Sequence, residues 1–141
     1  MVIVVALMGL IAAISFPSVS SGLDSIRLTT ATDSIVSFLN GGLNRAQRRQ
    51  QPIEITISVA ENYLSMQSVE PGFVRRLELP EGVKVLRIHP EIAEESARSF
   101  VLYPAGAIPR FGVEITNHRG VRRIVRVDPI TGVPQVENVE P

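Results

Sequence analysis

The chain opens Met1-Val2-Ile3-Val4-Val5-Ala6-Leu7-Met8-Gly9-Leu10-Ile11-Ala12-Ala13-Ile14, then passes through Ser15-Phe16-Pro17 into a polar stretch that keeps a helical pattern. The first fourteen residues carry no charge and no strong hydrogen-bonding side chain. An uncharged run of this kind belongs in lipid, or in the core of an assembly built from many copies of one chain. A spanning helix needs about 20 apolar residues, and runs of roughly 10–14 are more often buried helices or signal-peptide cores. Met1 to Phe16 reaches only ~24 Å at 1.5 Å per residue, against a hydrocarbon core of ~30 Å. A cleavable secretory signal has a basic start and a small-residue cleavage site. Here the basic start is missing and no turn-rich gap follows. Segment 1–16 therefore reads as a transmembrane or filament-core helix truncated at its start, with a buried core helix as the bland alternative.

Beyond Pro17 the pattern turns amphipathic. Leu28, Ala31, Ile35, Phe38, Leu39, Leu43 and Ala46 recur at spacings of three and four, one apolar helical face that predicts packing on a sheet. Arg27, Thr30, Asp33, Ser34, Ser37, Asn40 and Asn44 suit the wet face. Pro17 removes a backbone donor and predicts a kink or a fresh helix start. Gly41 and Gly42 each cost about 1 kcal/mol in a helix interior, but the apolar period continues on both sides, so the helix is expected to pass through them. Arg45, Arg48 and Arg49 occupy the last turns, where cations suit the negative end of the helix dipole, and Pro52 closes the segment 17–51.

From 52 to 141 the chain reads as a β-rich head. Ile53, Ile55, Ile57 and Val59 alternate with polar residues, the period of a half-buried strand. Ala60-Glu61-Asn62 predicts a turn into a second strand, Tyr63 to Gln67. Phe73 to Leu79 and Val83 to His89 flank the turn Pro80-Glu81-Gly82. Glu91 to Arg98 reads as a polar excursion. Phe100 to Tyr103, Gly112 to Thr116, Val121 to Asp128 and Val133 to Val136 complete the strands, the last after the turn Pro129 to Gly132. Short connections imply antiparallel pairing. The fold class is α+β: a long amino-terminal helix packed on a small antiparallel β-sheet or β-sandwich.

Composition excludes several classes. Fourteen basic and fourteen acidic residues give zero formal charge, so no global field draws the chain to nucleic acid or acidic lipid. Cysteine is absent, which rules out disulfides, thiolate metal sites and a cysteine nucleophile. His89 and His118 lack metal-like partners at i+3 or i+4 and read as surface or turn residues. Glu91, Glu94 and Glu95 read as a solvated loop, and Ser18, Ser20 and Ser21 as polar helix residues. No phosphate-cradling glycine loop is present, so no cofactor and no enzymatic activity are expected.

The uncharged helix start, Gly9, Pro17 and the amphipathic continuation into a β-rich head together resemble type IV pilins and pseudopilins. In that family a leader is cut before a Phe-Thr-Leu-Ile-Glu stretch, and Met1 to Val5 is similar to the residues just after that stretch. The resemblance implies that this chain starts downstream of such a stretch. Ala46-Gln47-Arg48-Arg49 followed by Ile53 to Val59 is similar to the helix end and first strand of H-type minor pseudopilins of type II secretion. Phe100 to Gly106 resembles that family's Phe-x-Pro-x-Gly turn, and Arg122 to Gly132 its closing strand and Thr-Gly turn. The resemblance implies a non-enzymatic filament subunit: anchored once in the bacterial inner membrane, its head in the periplasm, assembled with other pseudopilins, and meeting secreted cargo or an outer-membrane secretin. Val2, Ile3, Val4, Val5, Leu7, Met8, Gly9, Leu10, Ile11, Ile14 and Pro17 would form the membrane and filament-core helix.

A related minor pilin of DNA uptake is the alternative. Its arginine-bearing tail corresponds here to Gly132-Val133-Pro134-Gln135, which has no arginine. The one candidate phosphate patch is Arg119 with Arg122 and Arg126, the latter two sharing a strand face. Aromatic residues do not interleave with them, as single-strand binding usually requires. An ordinary solvated sheet face is favoured, and nucleic acid is not the expected partner.

Overall fold

The protein is described by a computed structural model covering residues 1–68, 72–90, 97–104 and 108–139, with the helical backbone alone for residues 14–21. One helix, α1 (Val2–Arg49), precedes eight strands. These are β1 (Ile53–Ser58), β2 (Tyr63–Ser68), β3 (Val74–Glu78), β4 (Lys84–His89), β5 (Ala97–Leu102), β6 (Gly112–Thr116), β7 (Arg122–Val127) and β8 (Pro134–Val139). The fold class is α+β.

At 48 residues, α1 is about 72 Å long. It passes Gly41 and Gly42 as the periodicity requires, and no second helix starts at Pro17. It ends where Gln50 turns left-handed (φ 53°, ψ 42°) and returns its N–H to the Ala46 carbonyl. The Gln51 N–H reaches the same carbonyl at 3.3 Å, so a left-handed cap ends the helix two residues before Pro52.

The strands form two four-stranded antiparallel sheets, ordered β3-β2-β1-β5 and β4-β6-β7-β8. Two strands differ from the sequence reading by more than one residue at an end. β5 begins at Ala97, because Ala97 and Arg98 pair with Ser58 and Ile57 of β1; a ladder already formed draws polar residues into the strand. β8 extends to Val139 because β7 offers partners throughout, Arg122 opposite Val139 and Ile124 opposite Glu137. The remainder of the polar excursion, residues 91–96, and the turn residues 105–107 lie outside the described residues.

The helix lies against strands of both sheets. Its buried face meets Ile53, Ile55 and Ile57 of β1, Val113 and Ile115 of β6, and Val125 and Val127 of β7 in one contiguous core. Phe100 of β5 and Phe111, just before β6, stack at 4.2 Å between ring centroids, which joins the two sheets through that core. Asn62 ties them again at the rim. Its amide donates to the Val83 carbonyl (2.8 Å) and its oxygen accepts the Val85 N–H (2.6 Å).

A register shift between Val85 and Arg87 lets Val85 and Ile88 both enter the core while Arg87 and His89 turn to the outer face. At the β7–β8 turn Gly132 adopts φ +76°, and a Cβ there would meet Leu43 and Ile108 at 2.8 Å. Only glycine lets this turn come so close to the helix.

Candidate assembly surfaces

The most exposed apolar surface is the start of α1. Val2, Ile3, Val4, Val5, Leu7, Met8, Leu10 and Ile11 are each between 54% and 83% exposed, around the full circumference of the helix. Gly9 adds no side chain, and its Cβ position has nothing within 4 Å. Nothing is described of the Ile14 and Pro17 side chains, nor of Ser18, Ser20 and Ser21. Leu23 and Ile26 are exposed as well, on either side of Asp24, the first charged side chain of the chain. Among the described residues no helix is long and apolar enough to cross a membrane.

The second helical set lies elsewhere. Leu28, Ala31, Ile35, Phe38, Leu39, Leu43 and Ala46 are all buried against the sheets. Thr32 is buried beside them, its hydroxyl donating to the Leu28 carbonyl at 2.7 Å. The head therefore closes its own core with the second half of the helix and leaves the first part uncovered.

Each of the three arginines of the candidate phosphate patch is drawn to a carboxylate. Arg119 leaves the sheet face altogether: its Nε–H donates to Asp24 Oδ2 of α1 at 3.2 Å. Arg126 Nε pairs with Glu137 at 3.1 Å, and Arg122 lies 3.8 Å from Glu114 Oε1. Each positive charge faces a carboxylate, which weakens the field a phosphate chain would meet. That arrangement follows from strand pairing, which sets Glu114 and Glu137 beside the arginines of β7.

Glu114 is the group that sequence reasoning passed over. It is 3% exposed, on the outer face of β6, with Arg87 Nε 2.6 Å from its Oε2 and His89 Nε2 3.7 Å away. Neither Oε2 nor His89 Nε2 makes an aligned hydrogen bond, so the cluster is held by charge and packing. The available signal was Val113-Glu114-Ile115, a carboxylate alternating with two core residues. His118 packs its ring on Gly82 at the Cβ position and stands apart from this cluster. The carboxylates Glu91, Glu94 and Glu95 lie outside the described residues.

The fold is similar to that of a solved structure, the minor pseudopilin EpsH from the type 2 secretion system of Vibrio cholerae. The TM-score is 0.57 at 14% sequence identity, covering 80% of this chain and 96% of that one. The fold is pseudopilin-like. No family model and no curated protein matches the sequence. Within this pseudopilin-like fold the bare helix and the closed head are separate surfaces.

Proposed function

We propose that this protein is a structural subunit of a pseudopilus, acting as a minor pseudopilin of type II secretion in moving protein across the outer membrane, without catalysing a reaction. The bare apolar helix carries the reading. Soluble monomers rarely expose contiguous apolar patches beyond a few hundred Å², so a rod of this kind needs lipid or other helices around it. Before assembly it anchors the chain in the inner membrane with the head in the periplasm. In the filament it packs among the helices of other pseudopilins, and the head meets secreted cargo or the secretin. Exchange between two apolar surroundings gains little from burial, so close packing supplies the direction.

The test is Leu7→Asp in cells carrying the type II secretion system that the gene serves. A charged side chain at membrane depth costs at least ~2.5 kcal/mol, and no cation on the rod offsets it. The variant should lose crosslinks to other pseudopilins and fail to support secretion. A Leu7→Asp chain that still fractionates with membranes, crosslinks and secretes would overturn the reading.

A further inference from the structure

The strongest unclaimed feature is a trough between α1 and the free edge of the first sheet. It has two adjoining parts of about 400 and 620 Å³, each lined by Arg75. The helix forms one wall, from Thr30 to Arg49, and β3 the other. At the end near the helix terminus Arg45, Arg48, Arg49 and Arg75 converge. Among the described residues none of the four pairs with a carboxylate, and the one acidic residue lining the trough, Asp33, belongs to its other part. Among the described residues this is a concentrated positive site that no carboxylate faces, in a chain of zero formal charge.

Among the described residues the backbone beside it also lacks partners on its outer side. β3 is a terminal strand of its sheet. The Ser68 N–H donates to the Phe73 carbonyl at 3.1 Å, and Arg75 and Leu77 stand opposite Met66 and Leu64. In an alternating antiparallel ladder the main-chain groups of Arg75 and Leu77 then turn toward β2, and those of Val74, Arg76 and Glu78 point outward. An edge of this kind is a template for another strand. On the outer face Arg76 is already engaged, with Glu78 at 3.2 Å and the Tyr63 ring at 3.8 Å. The free charge therefore lies on the helix side.

We propose that this trough binds an extended acidic segment of a partner protein. The segment adds to β3 as a fifth strand, and its alternate side chains, which face the helix, place carboxylates on Arg45, Arg48, Arg49 and Arg75. Main-chain bonds to the edge supply affinity, and the arginines select acidic residues. Nucleic acid fits less well: it makes no use of the strand edge, and the Phe73 and Tyr63 rings are each covered on one side by Arg45 and Arg76. A bilayer fits less well too, because Arg45 lies about 50 Å along the helix from Ile11. The proposal concerns the head alone and stands apart from the filament reading.

The test uses the full chain in nonionic detergent at low salt, with a fluorescein-labelled peptide of alternating glutamate and valine. The parent peptide should bind by anisotropy. Methylating its backbone nitrogens on the edge-facing residues should weaken binding by roughly tenfold or more, and Arg48→Gln with Arg49→Gln should do the same. Val74→Pro removes an outward N–H at a position where an edge strand tolerates proline, and should also block binding. The proposal is overturned if the methylated peptide binds as tightly as the parent, if the arginine variants leave affinity unchanged, or if a thymidine oligonucleotide binds and the peptide does not. The methylated probe needs no change to the protein, so a variant that fails to fold does not remove the test.

Discussion

Arg119 Nε stands 3.2 Å from Asp24 Oδ2, joining the turn before β7 to the helix four residues ahead of Leu28, the first buried side chain of the packed face. The turn itself is held by Asn117, whose side-chain oxygen accepts the N–H groups of Arg119 and Val121 at 3.0 and 3.1 Å. This pair sits where the bare rod becomes a packed helix. Arg119 is half exposed, so Arg119→Gln should cost no more than ~1 kcal/mol of global stability. Its effect should be local: amide exchange of residues 24–28 should accelerate while that of residues 35–46 stays unchanged. Hydrogen-exchange mass spectrometry separates the two segments.

Deleting residues 2–22 should leave a folded head. No described side chain before Leu28 is buried, and the shortened helix would begin with Asp24 in its first turn, where a carboxylate suits the dipole. The melting temperature should move by less than about 4 °C, equivalent to under ~1 kcal/mol for a domain of this size. Sedimentation of the fragment should give a monomer without detergent.

The Glu114 cluster should respond asymmetrically. Arg87→Met strands a buried carboxylate with its nearest cation gone, and breaking such a pair costs ~3–5 kcal/mol. Glu114→Gln leaves Arg87 and Arg122, which are 38% and 30% exposed and can turn their heads to water. Its cost should be lower, about 1–2 kcal/mol. Urea melts of both variants measure the difference, and equal costs would mean that the carboxylate is not the group that needs compensation.

The helix and the strand order of appearance were legible because burial on one face writes a period into the sequence: three and four from Leu28 to Ala46, two from Ile53 to Ile57. The pairing of β5 with β1, and of β4 with β6, was not, since period says which face is buried and not which strand lies beside it. The arginines of β7 were visible as a group, but Glu114 and Glu137, which neutralise two of them, are brought alongside by register alone. Ala97 and Arg98 carry no strand signal because a strand that borrows order from its neighbour needs no apolar pattern of its own. The trough was hidden for the same reason: Arg45 and Arg75 are thirty residues apart in sequence and meet only because β3 takes the sheet edge beside the helix.

Three glycines test how the helix is turned on the sheets. A Cβ at Gly41 would meet Arg75 Nη1 at 3.8 Å, an ordinary contact, so Gly41→Ala removes only the entropic cost of a helical glycine. It should stabilise the protein by ~0.5–1 kcal/mol. At Gly42 the Cβ would lie 3.3 Å from Met66 Cε and 3.6 Å from Leu102 Cδ1. Methionine yields readily, so that gain is offset and Gly42→Ala should be near neutral. Gly132→Ala meets both a left-handed backbone and the 2.8 Å approach of Leu43 and Ile108, and should cost ~2 kcal/mol or more. The expected order of melting temperatures is Gly41→Ala above Gly42→Ala above Gly132→Ala. If Gly41→Ala were the more damaging of the two helical variants, position 41 and not 42 would face Met66. One residue is a turn of ~100° about the helix axis, so that result would move the packed face off the Leu28 to Ala46 stripe.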